Sequence, residues 1–321
     1  MSFKFFEDSR GEYVASPAEA GELPKIFVSA EIYPAAYELA ILALNKHGTR
    51  SRTHYDKRDT DGNYLHPPSI EANVAVEVRN PLKEPRGHLM IPGDYRSLES
   101  YRQEVVDGIH DAWIKPKEGK WIYTYHDRIV NWNPFRDAES MREDKGRFLT
   151  KGINQIEEIL RELEKEITSK AAQAITWYPT SDPRTSKDRP CLQSLWFRVL
   201  ENKSGEYVLN LNSRWRSRDG YKAWPMNAWA VVDWFKEIGG MLADRIKEPI
   251  TIGTYRDMSD SLHIYGAYTT DWKFQNEIEK MRNPDMKGRV FNSNDEIPQY
   301  YFNEARENLK KDPDYYAKGG F

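Results

Sequence analysis

The chain has 321 residues, of which 39% are apolar and 30% charged, a composition typical of globular proteins that excludes a mainly disordered chain. Its net charge of -3 provides no overall basic field for a nucleic-acid polymer, and its single cysteine excludes an intrachain disulfide and a multi-cysteine zinc site. Because the first residues lack a signal-peptide core and no apolar run approaches the roughly 18 residues of a membrane span, we expect a cytoplasmic protein.

The amino-terminal part alternates between polar connections and regular elements. The first 25 residues are polar and contain glycines and prolines, which indicates an arm or a short hairpin. Residues 48–69 are polar and charged and predict a loop. Helical sequence patterns predict three helices, in which apolar residues share one face. Their ranges are 34–46, 98–114 and 153–167.

The rest of the sequence is rich in strands. The predicted strands, which alternate in polarity or flank turn sequences, are 71–78, 192–200, 207–215, 250–255 and 261–265. The stretch after Asn227 is apolar almost all round and predicts a buried helix, and the polar last thirty residues have helical character around 300–311. Because helices and strands interleave while hairpins occur, we predict an α/β (α+β) class with a mixed, mostly antiparallel sheet covered by helices.

Four short motifs contain residue types suited to chemistry. One holds the only thiol at the start of a strand, and another places an arginine, a serine and an aspartate before the buried helix. A third is a His-x-Tyr pair, and the last is a pair of tyrosines with a glutamate upstream. They are Arg189-Pro190-Cys191, Arg216-Ser217-Arg218-Asp219 with Trp224-Pro225-Met226-Asn227, His263-Ile264-Tyr265, and Tyr123-Thr124-Tyr125 with Glu104.

The order and spacing of these motifs resemble the thymidylate synthase family, including its pyrimidine-nucleotide hydroxymethylase branch. That family has a Pro-Cys pair on a strand, then an Arg-Ser-x-Asp segment and, eight residues past the aspartate, an asparagine that opens a long helix. Asp219 and Asn227 keep this spacing without a gap, and the segment from Asp260 to Tyr265 resembles the family's Asp-x-x-His-x-Tyr element. The resemblance implies the family's fold and a homodimer with sheets packed back to back.

The resemblance does not extend over the whole chain. It is good over about residues 150–270, loose over about 34–130 and absent at both ends. We therefore predict three regions, namely an amino-terminal arm over 1–25, a thymidylate synthase-like catalytic domain over 26–290 and a carboxy-terminal tail over 291–321.

The resemblance assigns the nucleophile to Cys191. A pyrimidine C5 is a poor nucleophile, so a thiolate must first add to C6 and create an enolate. Such a thiol needs nearby positive charge, for which Arg189 and Arg216 are the candidates. Glu104 resembles the glutamate that moves protons through water, and Tyr125 resembles the tyrosine that helps to remove the C5 proton. The alternatives for these last two roles are Glu99 and Tyr123.

Six further residues resemble those that bind the nucleotide and the folate. Arg216 and Ser217 resemble the phosphate-binding pair, since a guanidinium and a hydroxyl suit that dianion. Asn227 resembles the residue that reads the edge of the base, where an amide suits uracil and where deoxycytidylate hydroxymethylases have an aspartate. The residues that match the sugar contacts and the folate anchor are His263, Tyr265 and Asp219.

Ordinary structural roles are the alternatives for several of these residues. Asp219 is able to cap a turn or a helix, and Asn227 to cap the helix that follows it. The alternative for His263 is a satisfied core histidine, for Arg216 an ion pair with an acid, and for Cys191 an inert buried thiol.

The phosphate clamp of the family is only partly matched. Its paired arginines, which reach the phosphate in the partner subunit, are replaced by Lys170-Ala171, which keeps one charge without the bidentate fork. Lys170 is therefore the candidate for a charge donated across the homodimer. The arginine of the family's amino-terminal loop corresponds to Arg52 or Arg50.

The resemblance implies 5,10-methylenetetrahydrofolate as the one-carbon donor, a pyrimidine nucleoside monophosphate as the partner, and no metal ion. Leu192 stands where the family often has His, and the chain ends in YYAKGGF instead of a small apolar terminus. Because a closed, dry pocket decides whether hydride or water completes the reaction, 5-methyl and 5-hydroxymethyl products both stay open. Asn227 favours UMP or dUMP, and a CMP or dCMP 5-hydroxymethylase is the alternative.

Two other classes of protein remain as alternatives. A non-catalytic nucleotide-binding relative keeps Arg216, Ser217 and Asn227 but needs neither Cys191 nor Glu104. A protein that binds RNA or DNA through a tryptophan-rich surface is disfavoured by the pI of about 6.2.

Overall fold

The computed structural model describes residues 3–19, 21–115, 118, 121–133, 152–184 and 189–315. The chain divides into two compact units, each made of three chain segments. Unit 1 consists of Met1–Asp94, Arg214–Trp229 and Gly253–Tyr300, and unit 2 of Tyr95–Ser213, Ala230–Ile252 and Tyr301–Phe321. The last six residues of the predicted tail, 316–321, lie outside the described residues.

Strands and helices interleave along the chain, as predicted. The strands are β1 (Lys4–Asp8), β2 (Gly11–Ala15), β3 (Lys25–Ala30), β4 (Thr49–Ser51), β5 (Ser69–Val78), β6 (Gly87–His88), β7 (Gln173–Ile175), β8 (Leu192–Glu201), β9 (Tyr207–Trp215), β10 (Arg218–Asp219), β11 (Ile250–Ile264) and β12 (Val290–Phe291). The helices are α1 (Tyr33–His47), α2 (Tyr95–Val106), α3 (Tyr125–Val130), α4 (Gln155–Lys165), α5 (Ala223–Ile246), α6 (Gly266–Thr269), α7 (Trp272–Met281) and α8 (Glu296–Lys311). None of the described helices is long and apolar enough to cross a membrane.

Unit 1 is organised around a mostly antiparallel sheet. Strands β1, β2, β3, β5 and β11 lie side by side in that order, and of these pairs β3–β5 is the parallel one. Strands β1 and β2 form a hairpin, which is one of the two structures predicted for this part of the chain. The two predicted strands 250–255 and 261–265 are one strand, β11, with an irregular register between Ser259 and Leu262.

Helix α1 confirms the helix predicted over 34–46. Pro34 lies in its first turn, where the missing N–H costs no intrahelical bond, and Gly48 follows its last residue. The helix packs against β2, β3 and β5. Its side chains are buried nearly all round, including one carboxylate, Glu38.

The buried Glu38 joins the two ends of unit 1. It accepts hydrogen bonds from Arg10 Nη1 at 2.7 Å, Arg289 Nε at 2.6 Å and His88 Nε2 at 3.0 Å. Arg10 also donates to the main-chain oxygen of Met281 at 2.7 Å. Burial acts to raise the pKa of Glu38, but the bonds from His88, Arg289 and Arg10 outweigh it and lower this pKa to about 2.

Unit 2 contains a smaller set of strands and several short helices. Strand β7 pairs antiparallel with β8, whose other neighbour is β9. Helix α4, predicted over 153–167, begins after Asn154, whose side chain accepts from the N–H groups of Ile156 and Glu157. Helix α8 lies where helical character is predicted around 300–311, and its buried residues include Phe302, Ala305 and Leu309.

The predicted helix of 98–114 is wrong at its carboxy-terminal end. Helix α2 ends at Val106, and a separate 3-10 turn follows at Asp111–Trp113. Gly108 lies between them with φ of +68°, and a Cβ at this position would stand 2.2 Å from His126 Nδ1. This glycine ends the helix, although apolar residues continue beyond it.

Candidate active site

The only thiol of the chain lies at the entrance of β8 in unit 2. Cys191 is half-buried, and its Sγ lies 3.9 Å from the main-chain oxygen of Arg189, a weak S–H···O contact. The side-chain amide of Gln193 donates to the main-chain oxygen of Cys191 at 3.4 Å. Thr176 Oγ1 donates to the main-chain oxygen of Leu192. These bonds hold the backbone around the cysteine while the residue stays partly exposed.

Two tyrosines lie near the thiol. The rings of Tyr123 and Tyr125 are 5.6 Å apart. Burial raises the pKa of Tyr125 above its ordinary value, the charge at Cys191 raises it further, and the N–H groups of Leu192 and Cys191 oppose the shift. Burial also raises the pKa of Tyr123, with further contributions from Tyr125 and Cys191. Both hydroxyls therefore keep their protons near neutral pH.

Two glutamates of α2 have different surroundings. Glu99 is buried and accepts from Arg306 at 2.9 and 3.1 Å and from Arg102 at 3.1 Å. The Glu104 side chain is 16% exposed and lies 2.8 Å from Nδ1 of His110. Guanidinium bonds occupy the oxygens of Glu99, whereas Glu104 faces an imidazole ring, which is able to donate or to accept a hydrogen bond. Glu104 is therefore better suited to proton transfer than Glu99.

The basic residues predicted for unit 2 have separate positions. Arg189 contacts the Cys191 sulfur through its main-chain oxygen. Lys170 lies before β7, and its main-chain oxygen accepts from Trp196 Nε1 at 2.9 Å. The residue is exposed, so its ammonium group is available at the protein surface.

In unit 1, the Arg-Ser-x-Asp motif follows directly on β9. Strand β10 pairs in parallel with β11, which places Asp219 opposite His263. Ser217 Oγ lies 3.5 Å from Nδ1 of His263, and Arg216 beside it is half-buried. The pairing thus brings the predicted phosphate-binding hydroxyl next to the predicted sugar-binding ring.

His263 does not fit the alternative of a satisfied core histidine. Burial lowers its pKa below the ordinary value, against the opposing effect of the Asp219 and Glu71 carboxylates. Its Nε2 is buried and has no hydrogen-bond partner among the residues that the structure describes. The Tyr265 ring lies 4.6 Å away, just beyond the end of β11. A neutral imidazole with one open nitrogen is suited to bind a ligand hydroxyl.

Asn227 lies within α5 and not at its start. Because α5 begins at Ala223, the N-cap alternative for Asn227 is wrong. Pro225 occupies the first turn, as prolines commonly do. The apolar run begins after Asn227, which is why the sequence predicts the helix start there. Asn227 is only 7% exposed, which suits an amide that selects its partners by hydrogen bonding.

Asp219 caps a turn with one oxygen. Its Oδ1 accepts from the N–H groups of Tyr221 at 2.9 Å and Lys222 at 3.1 Å. Its Oδ2 accepts from the hydroxyl of Tyr268 at 2.9 Å. A carboxylate oxygen accepts about two hydrogen bonds, so Oδ2 has room for one further donor. Tyr268 belongs to no motif and was missed by the sequence analysis.

The loop between β4 and β5 carries Arg52, whereas Arg50 lies in β4 itself. Arg52 Nη1 donates to the main-chain oxygen of His66 at 2.7 Å and lies 3.4 Å from Asp56. Its guanidinium lies 3.8 Å from the centre of the Tyr64 ring. These contacts hold Arg52 on its own loop.

A cavity of about 240 Å³ lies beside Tyr265, within unit 1. The loop that carries Arg52 forms one wall, and the segment after β11 forms the other. The two approach so closely that a Cβ at Gly266 would stand 1.7 Å from the main-chain oxygen of Pro67. Glycine is therefore required at this position. Within the described ranges, no group of three or more His, Cys, Asp or Glu side chains is arranged to hold a metal ion.

Comparison with known protein families identifies the class of protein. The family model described as thymidylate synthase matches residues 92–310, more than half of the chain. The chain therefore belongs to the thymidylate synthase family. Membership implies a transferase that acts on a pyrimidine nucleotide.

Individual relatives agree with this assignment. The chain is 27% identical over 202 residues to the "Putative thymidylate synthase" of Methanocaldococcus jannaschii, covering 60% of this chain and 73% of that protein. It is 25% identical over 213 residues to the protein of the same name from Methanococcoides burtonii, covering 65% of this chain and 76% of that protein. The solved thermostable thymidylate synthase A from Bacillus subtilis matches with a TM-score of 0.51 and 15% identity over 81% of this chain and 86% of that chain, which confirms the predicted fold.

Proposed function

We propose that this protein transfers one carbon from 5,10-methylenetetrahydrofolate to C5 of a pyrimidine nucleoside monophosphate, through a covalent bond from Cys191 to C6. The observation that carries the proposal is the position of the half-buried Cys191 at the entrance of β8. The thiol lies close enough to the Tyr125 hydroxyl to affect its pKa. Membership of the family supports the reaction class.

The covalent and proton-transfer steps involve Cys191, Tyr125 and Glu104. The Cys191 thiolate adds to C6, the C5–C6 double bond opens, and the electron pair passes to C5 as an enolate. The folate supplies the carbon atom that C5 takes up. Tyr125 helps to remove the C5 proton, and Glu104 receives and returns protons through water. The bond from the transferred carbon to the folate nitrogen breaks when the C5 proton is lost. Addition of hydride or water to that carbon then expels Cys191 from C6, which restores the C5–C6 double bond.

The nucleotide is bound through its phosphate, its sugar and its base. Arg216 and Ser217 hold the phosphate through charge-assisted hydrogen bonds. A sugar hydroxyl donates to the open Nε2 of His263, which burial keeps neutral, and Tyr265 lies against that ring. The Asn227 amide pairs with the edge of the base, and its donor and acceptor together suit uracil.

The side chains of unit 1 also fit a folate. A pterin ring presents N–H donors, and Asp219 Oδ2 is able to accept one more hydrogen bond beside that of Tyr268.

Arg52 and Lys170 complete the proposed contacts to the phosphate of the nucleotide, with Lys170 donated across a homodimer. The homodimer stays a prediction from the family resemblance.

Tritium release tests the proposed function. UMP, dUMP, CMP and dCMP labelled at C5 are incubated with the protein and methylenetetrahydrofolate, while the absorbance of dihydrofolate is followed. Tritium release with a rise in absorbance indicates a 5-methyl product, and release without a rise indicates a 5-hydroxymethyl product. No release from any of the four nucleotides, and no adduct on Cys191 with C5-fluorinated analogues by mass spectrometry, would leave only a nucleotide-binding protein.

Replacement of Asn227 by Asp is expected to shift the preference from uracil towards cytosine. A protonated carboxyl group donates to N3 of cytosine and accepts from its N4–H, whereas the amide accepts from N3–H and donates to O4 of uracil. We expect the ratio of tritium release from the uracil and cytosine nucleotides to change by at least about tenfold. Asn212→Asp, on strand β9, is the matched control and should leave the ratio unchanged. An unchanged ratio in Asn227→Asp would refute the assignment of this residue.

A further inference from the structure

A histidine outside the sequence motifs connects Glu104 to the carboxy-terminal part of unit 2. Nδ1 of His110 lies 2.8 Å from Glu104 Oε2, and its Nε2 lies 3.1 Å from the main-chain oxygen of Pro313. The histidine is 6% exposed, and its ring stacks on Trp113 with 3.7 Å between centroids and 12° between planes. Both nitrogens therefore have a partner, and the stacking fixes the plane of the ring.

The main-chain oxygen of Pro313 determines which nitrogen carries a permanent proton. A carbonyl oxygen only accepts hydrogen bonds, so Nε2 must be the donor. Nδ1 then has two states, because it donates to an ionised Glu104 when protonated and accepts from the carboxylic acid when it is not. Transfer of a proton from Glu104 to Nδ1 breaks one O–H bond and forms one N–H bond. Both hydrogen bonds of the ring persist.

We propose that His110 is a positioning residue that acts as the proton partner of Glu104, with its tautomer fixed by the segment 312–315. This inference rests on the proposed function for the reaction that Glu104 serves. Trp113 supports the arrangement a second time, since its Nε1 donates to the carboxylate of Asp314. The ring that stacks on His110 thus also binds the residue next to Pro313. A hydrogen bond to one ring nitrogen commonly fixes the orientation and the tautomer of a histidine.

Other titratable groups lie close to this pair. Glu104 approaches His110 from α2, Asp111 follows His110 in the 3-10 turn, and Asp314 approaches from the segment 312–315. His126 lies 2.7 Å from Asp111. The ionisation of the pair must be separated from that of these groups, so we compare variants of His110 and leave the other groups unchanged.

Kinetics of two variants test the inference. His110→Gln keeps hydrogen-bonding groups but takes up no proton, and His110→Phe keeps an aromatic ring against Trp113 but has no nitrogen. In both, we expect kcat for tritium release to fall by at least about tenfold, KM for the nucleotide to stay within about twofold, and the pH profile of kcat to change shape. His47→Phe, which removes a half-buried histidine of unit 1, should behave like the wild type. Wild-type kcat and pH profile in His110→Gln would overturn the inference.

The tautomer can be measured without any enzymatic activity. In protein labelled with nitrogen-15 at its seven histidines, the His110 signals are those missing from His110→Gln. We expect Nε2 to carry the permanent proton, because the main-chain oxygen of Pro313 accepts from it. A proton on Nδ1 with a bare Nε2 overturns the inference. Absence of tritium release from the wild type refutes the proposed function alone, and the spectrum still decides the role of His110.

Discussion

Cys191→Ser is expected to lose tritium release from C5-labelled nucleotides by at least about a thousandfold. The reaction needs an ionised nucleophile at C6, and a serine hydroxyl is not ionised near neutral pH, whereas a cysteine thiol is readily activated. The change of one atom keeps the size of the side chain at the entrance of β8. Initial rates of release at saturating nucleotide, compared with the wild type at equal protein concentration, measure the effect.

Because the chain has one cysteine, the control is simple. A thiol reagent should label the wild type once and Cys191→Ser not at all. We assign nucleotide binding to Arg216, Ser217 and Asn227, so the dissociation constant of the variant should stay within about threefold of the wild type by calorimetry. Undiminished release by a variant with this intact binding would exclude the covalent mechanism.

The family could be predicted from the sequence because its motifs are residue types at short, regular spacing. Asp219 and Asn227 are eight residues apart, and a thiol, an Arg-Ser-x-Asp motif and a His-x-Tyr motif in this order are together specific. Helix α4, which has strong apolar periodicity, and helix α1, which begins with a proline, were also predicted close to their observed ends. Local sequence carries this information.

The errors lie where distant parts of the chain decide the local structure. The start of α5 was placed at Asn227, whereas the helix begins at Ala223. The indole N–H of Trp224, in its first turn, donates to Asp257, 33 residues along the chain, at 2.7 Å. The two predicted strands 250–255 and 261–265 form the single strand β11, because its pairing with β5 continues from Tyr255 to Ile264 through an irregular register between Ser259 and Leu262. A single sequence holds no signal for such pairings.

The same reason explains the polar contacts that the sequence analysis missed. Tyr268 is 49 residues from Asp219, and Pro313 is 203 residues from His110. Glu38 falls in an apolar helix pattern, and its partner Arg289 is 251 residues away. Contacts of this kind fix the protonation and orientation of side chains, so only the structure shows which partners surround a candidate site residue.

Glu38→Gln is the second change for which we expect a large effect, in this case a loss of stability against unfolding. Glutamine keeps the shape of the side chain but removes the negative charge that faces Arg10 and Arg289, and loss of one member of a buried ion pair costs about 3 to 5 kcal/mol. Glu31→Gln is the matched control, since the Glu31 side chain is 42% exposed and pairs with Arg79 and Lys83 at the surface. It should cost less than about 1 kcal/mol. Urea unfolding at neutral pH measures both.

The pH dependence of stability provides an independent test of the Glu38 cluster. The pKa of Glu38 is about 2 in the folded protein and 4.5 ordinarily, so below pH 4.5 the unfolded chain takes up the proton first. The unfolded state therefore binds more protons. The contribution of Glu38, about 3 kcal/mol, is present above pH 4.5 and lost as the pH falls towards 2. Glu38→Gln should lack this part of the acid dependence, whereas Glu31→Gln should keep it. If both variants lose stability in parallel with the wild type between pH 4.5 and 2, the charge of Glu38 does not stabilise unit 1.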